Sequence, residues 1–165
     1  MKVTERTKYA EFAQYADVLR DESTAALKRA AESKFKPCSA MTINEFWGVI
    51  TGNYELLGDM TEPSVLQVYW LKRFADFCDE FAKTMERLAI KNPEMENLQA
   101  NCVKMSPQES MLLFVREYFG LRSFYEAGEV TIGEYVLARK DRFNDYVTRK
   151  AMEAKQLRDI KSKKK

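Results

Sequence analysis

An all-α fold, an irregular bundle of five or six helices, is what this chain predicts on three observations. Helix-start boxes recur at Thr42-Ile43-Asn44-Glu45, Ser106-Pro107-Gln108-Glu109 and Thr131-Ile132-Gly133-Glu134. In each, the hydroxyl accepts from a free backbone N–H of the first turn, while the glutamate accepts from the capping residue's own N–H. Apolar residues also recur at steps of three and four over long segments. Finally, Val49-Ile50-Thr51, which reads equally as a strand, has no alternating partner segment near it.

The elements follow in order. Thr4 to Glu32 carries Phe12, Tyr15, Ala16, Leu19, Ala26 and Ala30 on one face, an amphipathic helix with room for a bend at Arg20 to Thr24. Pro37 breaks the pattern because it has no backbone N–H and biases Lys36 away from helix. Thr42 opens a second helix, nearly apolar through Phe46, Trp47, Val49 and Ile50, which Gly52-Asn53 ends. Tyr54 to Asp59 reads as one further turn capped by Gly58. Thr61-Glu62-Pro63 begins the strongest helix, where Leu66, Trp70, Phe74, Phe77, Phe81, Met85 and Leu88 recur at steps of three and four.

Asn92-Pro93 stops that helix and restarts a shorter one through Met95, Leu98 and Cys102. Ser106-Pro107 opens the next, expected to run to Gly128 with Met111, Leu112, Phe114, Val115, Tyr118, Phe119 and Leu121 inside. Thr131 starts the last helix, whose stripe of Val136, Phe143, Tyr146, Val147, Met152, Leu157 and Ile160 continues almost to the end. About thirty residues at 1.5 Å each measure roughly 45 Å, more than a compact domain of this size spans, so part of it should project. The chain thus divides into a helical body, 1–130, and an amphipathic basic C-terminal helix, 131–165. The two threonine boxes share the word Thr-Ile-X-Glu-aromatic, for which common capping chemistry is a sufficient reason.

Composition agrees with one domain: 165 residues, 45% apolar and 12% aromatic, suffice for a core. Charges interrupt every apolar run before the roughly 20 residues a bilayer span needs, so no membrane association is expected. Met1 to Arg6 is polar, with no apolar run behind it to act as a secretory signal. Cys38, Cys78 and Cys102 are odd in number and lack CxxC spacing, which fits reduced thiols in a cytosolic setting. From Glu134 to Lys165 there are eleven Lys and Arg against five Asp and Glu, whereas the other 133 residues hold sixteen against twenty. A mildly acidic body therefore carries a basic end.

Chemistry is narrowed by elimination. The chain contains no histidine, which removes Ser-His and Cys-His pairs, imidazole metal ligands and an imidazole base. Its six glycines form neither a phosphate-cradling GxxxxGK[ST] loop nor a GxGxxG turn. Asp76, Asp79 and Glu80 share a helix face, where the types required for a hard cation or an acid–base pair are present, but a solvated face is the simpler reading. Cys78 among them reads as a small core filler. No catalytic residue, metal ligand or cofactor is assigned, and a non-enzymatic role is expected.

Two surfaces are assigned instead. Phe46, Trp47 and Ile50 offer one apolar partner-binding surface, and Tyr146, Leu157 and Ile160 the other. Arg149, Lys150, Lys155, Arg158, Lys161, Lys163, Lys164 and Lys165 are the candidate polyanion contacts, nonspecific toward nucleic acid because acids interrupt them and the nearby aromatics fall on the apolar stripe. Thr42-Ile43-Asn44-Glu45-Phe46-Trp47, then Gly52-Asn53-Tyr54-Glu55-Leu56-Leu57, then Trp70 and Phe77 resemble a pattern in small helical proteins of tailed, crAss-like bacteriophages. The resemblance covers about a quarter of the chain, and Thr-Ile-Asn-Glu stands where that pattern has Leu-Pro-Leu. It implies a virion component or assembly factor, found in the host cytoplasm or the virion, with no catalytic residues to carry over. The expected function is a structural or assembly protein that forms homo-oligomers or binds other virion proteins. A nucleic-acid-associated protein and a small inhibitor or regulator of a host protein are the alternatives.

Overall fold

In a computed structural model of the chain, residues 22–90 and 104–163 are described. Among them lie six α-helices: α1 (Glu22–Lys34), α2 (Ile43–Ile50), α3 (Val65–Arg87), α4 (Pro107–Phe119), α5 (Phe124–Gly128) and α6 (Ile132–Lys163). Two short 3-10 turns, Cys38–Ala40 and Glu55–Leu57, join α1 to α2 and α2 to α3. The fold is all-α. The part of the N-terminal helix expected before Glu22, and the short helix through Met95, Leu98 and Cys102, lie outside the described residues.

Capping chemistry sets the boundaries. At Thr42 the hydroxyl accepts from Glu45 N and the Glu45 carboxylate accepts from Thr42 N; the Ser106–Glu109 box is built the same way. Thr131 and Glu134 repeat it, with Thr131 N donating to Glu134 at 2.9 Å and Glu134 N to the Thr131 hydroxyl at 3.2 Å. A further box starts α3, where Ser64 and Gln67 satisfy each other's backbone donors. Helix α3 therefore begins at Val65, after Pro63 and not from Thr61-Glu62-Pro63; Thr61 N instead closes a turn on the Asp59 carboxylate at 2.9 Å. Gln67 also donates from its buried amide to the Leu57 and Asp59 carbonyls, pinning the preceding loop to the helix.

The segment expected as one helix from Ser106 to Gly128 is two. Gly120 takes the left-handed conformation at φ 65°, the Leu121 N–H bonds back to Arg116 O, and α4 stops there. Ser123 then caps α5 by accepting from Glu126 N. At the far end of α2, Gly52 at φ 90° makes the expected exit.

The two threonine boxes meet in space. Thr42 and Thr131 form an antiparallel bridge in which Ile43 N donates to Val130 O at 2.9 Å and Ile132 N donates to Met41 O at 2.8 Å. The first N–H of each helix, which has no partner within its own helix, is thus satisfied by the residue preceding the other helix's cap. Met41, Ile43 and Ile132 are fully buried around the bridge. Matching positions then go inward on both helices: Ile43, Phe46 and Val49 on α2, and Ile132, Tyr135 and Ala138 on α6. The repeated word corresponds to one shared structural role.

Phe81 of α3 receives both aromatics, with ring centroids 5.4 Å from Phe46 and 6.0 Å from Tyr135. Trp70 stacks on Phe74 at 5.5 Å, Phe46 tilts against Phe74 at 5.4 Å, and Phe114 of α4 meets Tyr135 edge-on at 5.6 Å. One core results. Helix α1 lies on α3, α4 contacts α2, α5 and α6, and α5 contacts α2. Two glycines permit close approach: a Cβ on Gly128 would collide with the Asn44 side chain, and one on Gly133 would come 3.0 Å from Ser39 O.

Ile132→Ala should lower the unfolding free energy by about 2–5 kcal/mol, because it empties a fully enclosed site, while Leu137→Ala at an exposed α6 position should stay within about 0.5 kcal/mol. Urea denaturation of the two variants checks this. The carboxyls of Glu109 and Glu134 are held below the ordinary glutamate range by the backbone and hydroxyl donors of Ser106 and Thr131. A carboxyl with a depressed folded-state pKa stabilises above its unfolded pKa and loses that contribution as pH falls through the folded one. The urea midpoint should therefore drop as pH is lowered below about 4.5. Glu134→Gln, which keeps a capping amide, should flatten part of that drop. The Ser64–Gln67 box has no titrating group and contributes nothing to it.

Candidate functional site

Helix α6 divides by environment. Its first part is anchored: Ile132, Tyr135 and Ala138 are buried, Arg139 lies over the Phe114 ring at 4.9 Å, and the Tyr118 hydroxyl donates to Asp141 at 2.5 Å. That bond pushes the Tyr118 phenol above its ordinary range. Phe143 and Tyr146 are half-buried, and from Val147 to Lys161 every side chain is exposed. A helix of 32 residues is about 48 Å long, so roughly half its length stands in solvent. Val147, Met152, Leu157 and Ile160 are 48%, 60%, 59% and 53% exposed along that half. At about 100° per residue Val147 and Met152 fall on different sides of the helix, while Leu157 and Ile160, three residues apart, are neighbours on one face.

The expected first surface is corrected by the packing. Phe46 belongs to the core, enclosed by Phe74, Phe77 and Phe81. Trp47 is half-buried and its indole N–H is buried without a hydrogen-bond partner among the described residues. Of the three, Ile50 alone is exposed, at 46%, so Phe46, Trp47 and Ile50 form no common contact surface. The physical reason is the bridge at Thr42, which turns the Ile43, Phe46 and Val49 face onto α3. Of the second surface, Tyr146 is half-buried and Leu157 and Ile160 are exposed.

Arg149, Lys150, Lys155, Arg158 and Lys161 are exposed on α6. Lys163 closes the helix, and Lys164 and Lys165 lie outside the described residues. At about 100° per residue these cations spread around the helix circumference and form no single stripe that could track a phosphate backbone. Lys150 pairs with Glu153 at 3.0 Å.

The other candidates have simple roles. Asp76 pairs with Arg73 at 3.4 Å and Glu80 with Lys83 at 2.8 Å on an exposed face, and Asp79 is exposed beside them. Among the described residues no three Cys, Asp or Glu side chains are grouped to hold a metal ion. A cleft of about 240 Å³ between α1, α3 and the first 3-10 turn is floored by Phe35, Trp70 and Phe77. Its cations are matched within the chain: Lys28 with Glu32 at 3.8 Å, Lys36 with Glu45 at 2.7 Å and Arg73 with Asp76. A second exposed group, Phe119, Phe124 and Tyr125, flanks the Gly120 turn, with Arg116 over the Phe124 ring at 4.4 Å. Reading α4 and α5 as one helix hid it; the Gly120 stop and the Ser123-x-x-Glu126 start were the available signals.

These features define an all-α protein with exposed apolar side chains at the Gly120 turn and along the far half of one long helix. Compared with protein-family models, with curated proteins and with solved structures, the chain matches none.

Burial raises the Cys78 thiol to about 11, reinforced by Cys38 and Asp79, and burial likewise raises Cys38 against the opposing influence of its backbone hydrogen bond and Arg73. A thiol with so little thiolate at neutral pH is a poor nucleophile. Iodoacetamide at pH 8, followed by peptide mass mapping, should alkylate Cys78 at least about tenfold more slowly than free glutathione.

Proposed function

We propose that this chain is a non-enzymatic assembly protein that associates with copies of itself through the distal half of α6. One observation carries the reading: Val147, Met152, Leu157 and Ile160 sit exposed on a helix whose other half is locked into the core. Leu157 and Ile160 are adjacent on one face, and covering them with flanking Val147 supplies roughly 25 cal/mol per Å² of apolar area removed from water as the driving force for association. The resemblance to helical proteins of crAss-like phages agrees with such a role, as a virion or assembly component in the host cytoplasm or the particle. Nucleic-acid binding by the basic residues of α6 has less support, because the cations encircle the helix and alternate with Asp145, Glu153 and Asp159.

Light-scattering mass measured from micromolar to millimolar concentration tests the proposal. The wild-type mass should rise with concentration, and Leu157→Glu with Ile160→Glu should abolish the rise while leaving the helical circular dichroism unchanged. A variant that assembles as the wild type does, or a wild type that stays monomeric throughout, would overturn self-assembly through this surface.

A further inference from the structure

The distal half of α6 carries one continuous stripe. Phe143, Tyr146, Lys150, Glu153, Leu157 and Ile160 follow one another at steps of three, four, three, four and three, the spacing of a two-helix seam. Two apolar positions lie on each side of two charged ones. At those charged positions, Lys150 Nζ is 3.0 Å from Glu153 Oε2, and the two side chains remain 60% and 59% exposed.

This pattern reads almost the same in both directions. Laid antiparallel against a second copy with the two-fold axis crossing between Ala151 and Met152, Lys150 faces the second copy's Glu153, and Glu153 its Lys150. Tyr146 then faces Leu157, and Phe143 faces Ile160, each twice by symmetry. Val147 and Ala154 flank the seam and meet each other across it. A parallel alignment instead sets Lys150 against Lys150 and Glu153 against Glu153, two like-charge layers in the middle of the contact. A charged layer in an apolar seam selects orientation and register at some cost in affinity.

We propose that α6 pairs with α6 of a second copy as an antiparallel two-helix contact over Phe143 to Ile160, its register fixed by the Lys150–Glu153 layer. This rests on the distal half of α6 being the assembly surface, and it names the occupant and the geometry. The overlap, about 27 Å long at 1.5 Å per residue, leaves the anchored segment from Ile132 to Asp141 to the body. So short a seam falls at the small end of specific interfaces, which makes the pairing concentration-dependent and not permanent.

Disulfide mapping distinguishes the geometries. Tyr146→Cys and Leu157→Cys are prepared separately, mixed, oxidised, digested and read by mass spectrometry. A disulfide needs its Cα atoms within about 7 Å. Antiparallel pairing brings residue 146 of one copy to 157 of the other, while 146 and 146 stand about 16 Å apart along the axis. The expected result is a 146–157 link in the mixture and no link between copies at either site alone. Lys150→Cys mixed with Glu153→Cys gives the same readout at exposed positions, should either first variant weaken the helix. As a second measurement, Lys150→Glu or Glu153→Lys alone should weaken association about tenfold, and the two together should restore it. A 146–146 or 157–157 link would establish parallel pairing and overturn the proposal while leaving α6 as the assembly surface. Association insensitive to Leu157→Glu with Ile160→Glu would overturn both.

Discussion

The antiparallel bridge between Thr42 and Thr131 is the contact on which the rest of this molecule depends. Two backbone hydrogen bonds, Ile43 N to Val130 O and Ile132 N to Met41 O, join segments far apart in the chain. Each satisfies a donor that a helix start would otherwise leave unpaired, and burial of Met41, Ile43 and Ile132 around them makes that satisfaction obligatory. With both helix starts fixed back to back, the faces they turn inward are determined. Phe46 from α2 and Tyr135 from α6 converge on Phe81, and α3 becomes the wall against which both helices pack.

That arrangement accounts for what could be read from the residues and what could not. Caps are local chemistry, and Thr42, Ser106 and Thr131 start helices as their boxes require. The Ser64–Gln67 box was equally local, but Pro63 beside it offered a competing start. Gly120 sits in a run apolar enough to resemble one continuous helix, and only its left-handed backbone divides α4 from α5. The burial of Phe46 depends on Thr131, a partner remote in the chain, so no local pattern could separate a core face from a contact face on α2. The stripe on α6 was legible because periodicity is local, whereas how far the body covers it depends on residues remote in the chain, Phe114 against Tyr135 and Tyr118 on Asp141.

The same separation explains the division of chemical character. Ionic groups near the core are matched nearby: Lys36 with Glu45, Arg73 with Asp76, and Arg139 over the Phe114 ring. Cys38 and Cys78 are half-buried and their thiols are kept protonated by burial. Beyond Tyr146, by contrast, Val147, Met152, Leu157 and Ile160 are exposed on a segment that packs on no core element.

The anchor at the start of α6 also makes the helix a lever. Its fulcrum is the contact of Ile132 and Gly133 with Met41 and Ser39, where Gly133 leaves 3.0 Å between a Cβ and the Ser39 carbonyl. From that fulcrum the arm extends about 45 Å to Lys163, so a tilt of about 5° there sweeps the tip through roughly 4 Å. A methyl group added at Gly133 would meet the Ser39 carbonyl at 3.0 Å, and any tilt that relieves this contact is magnified along the arm, so the position of the tip is governed by residues that never touch it.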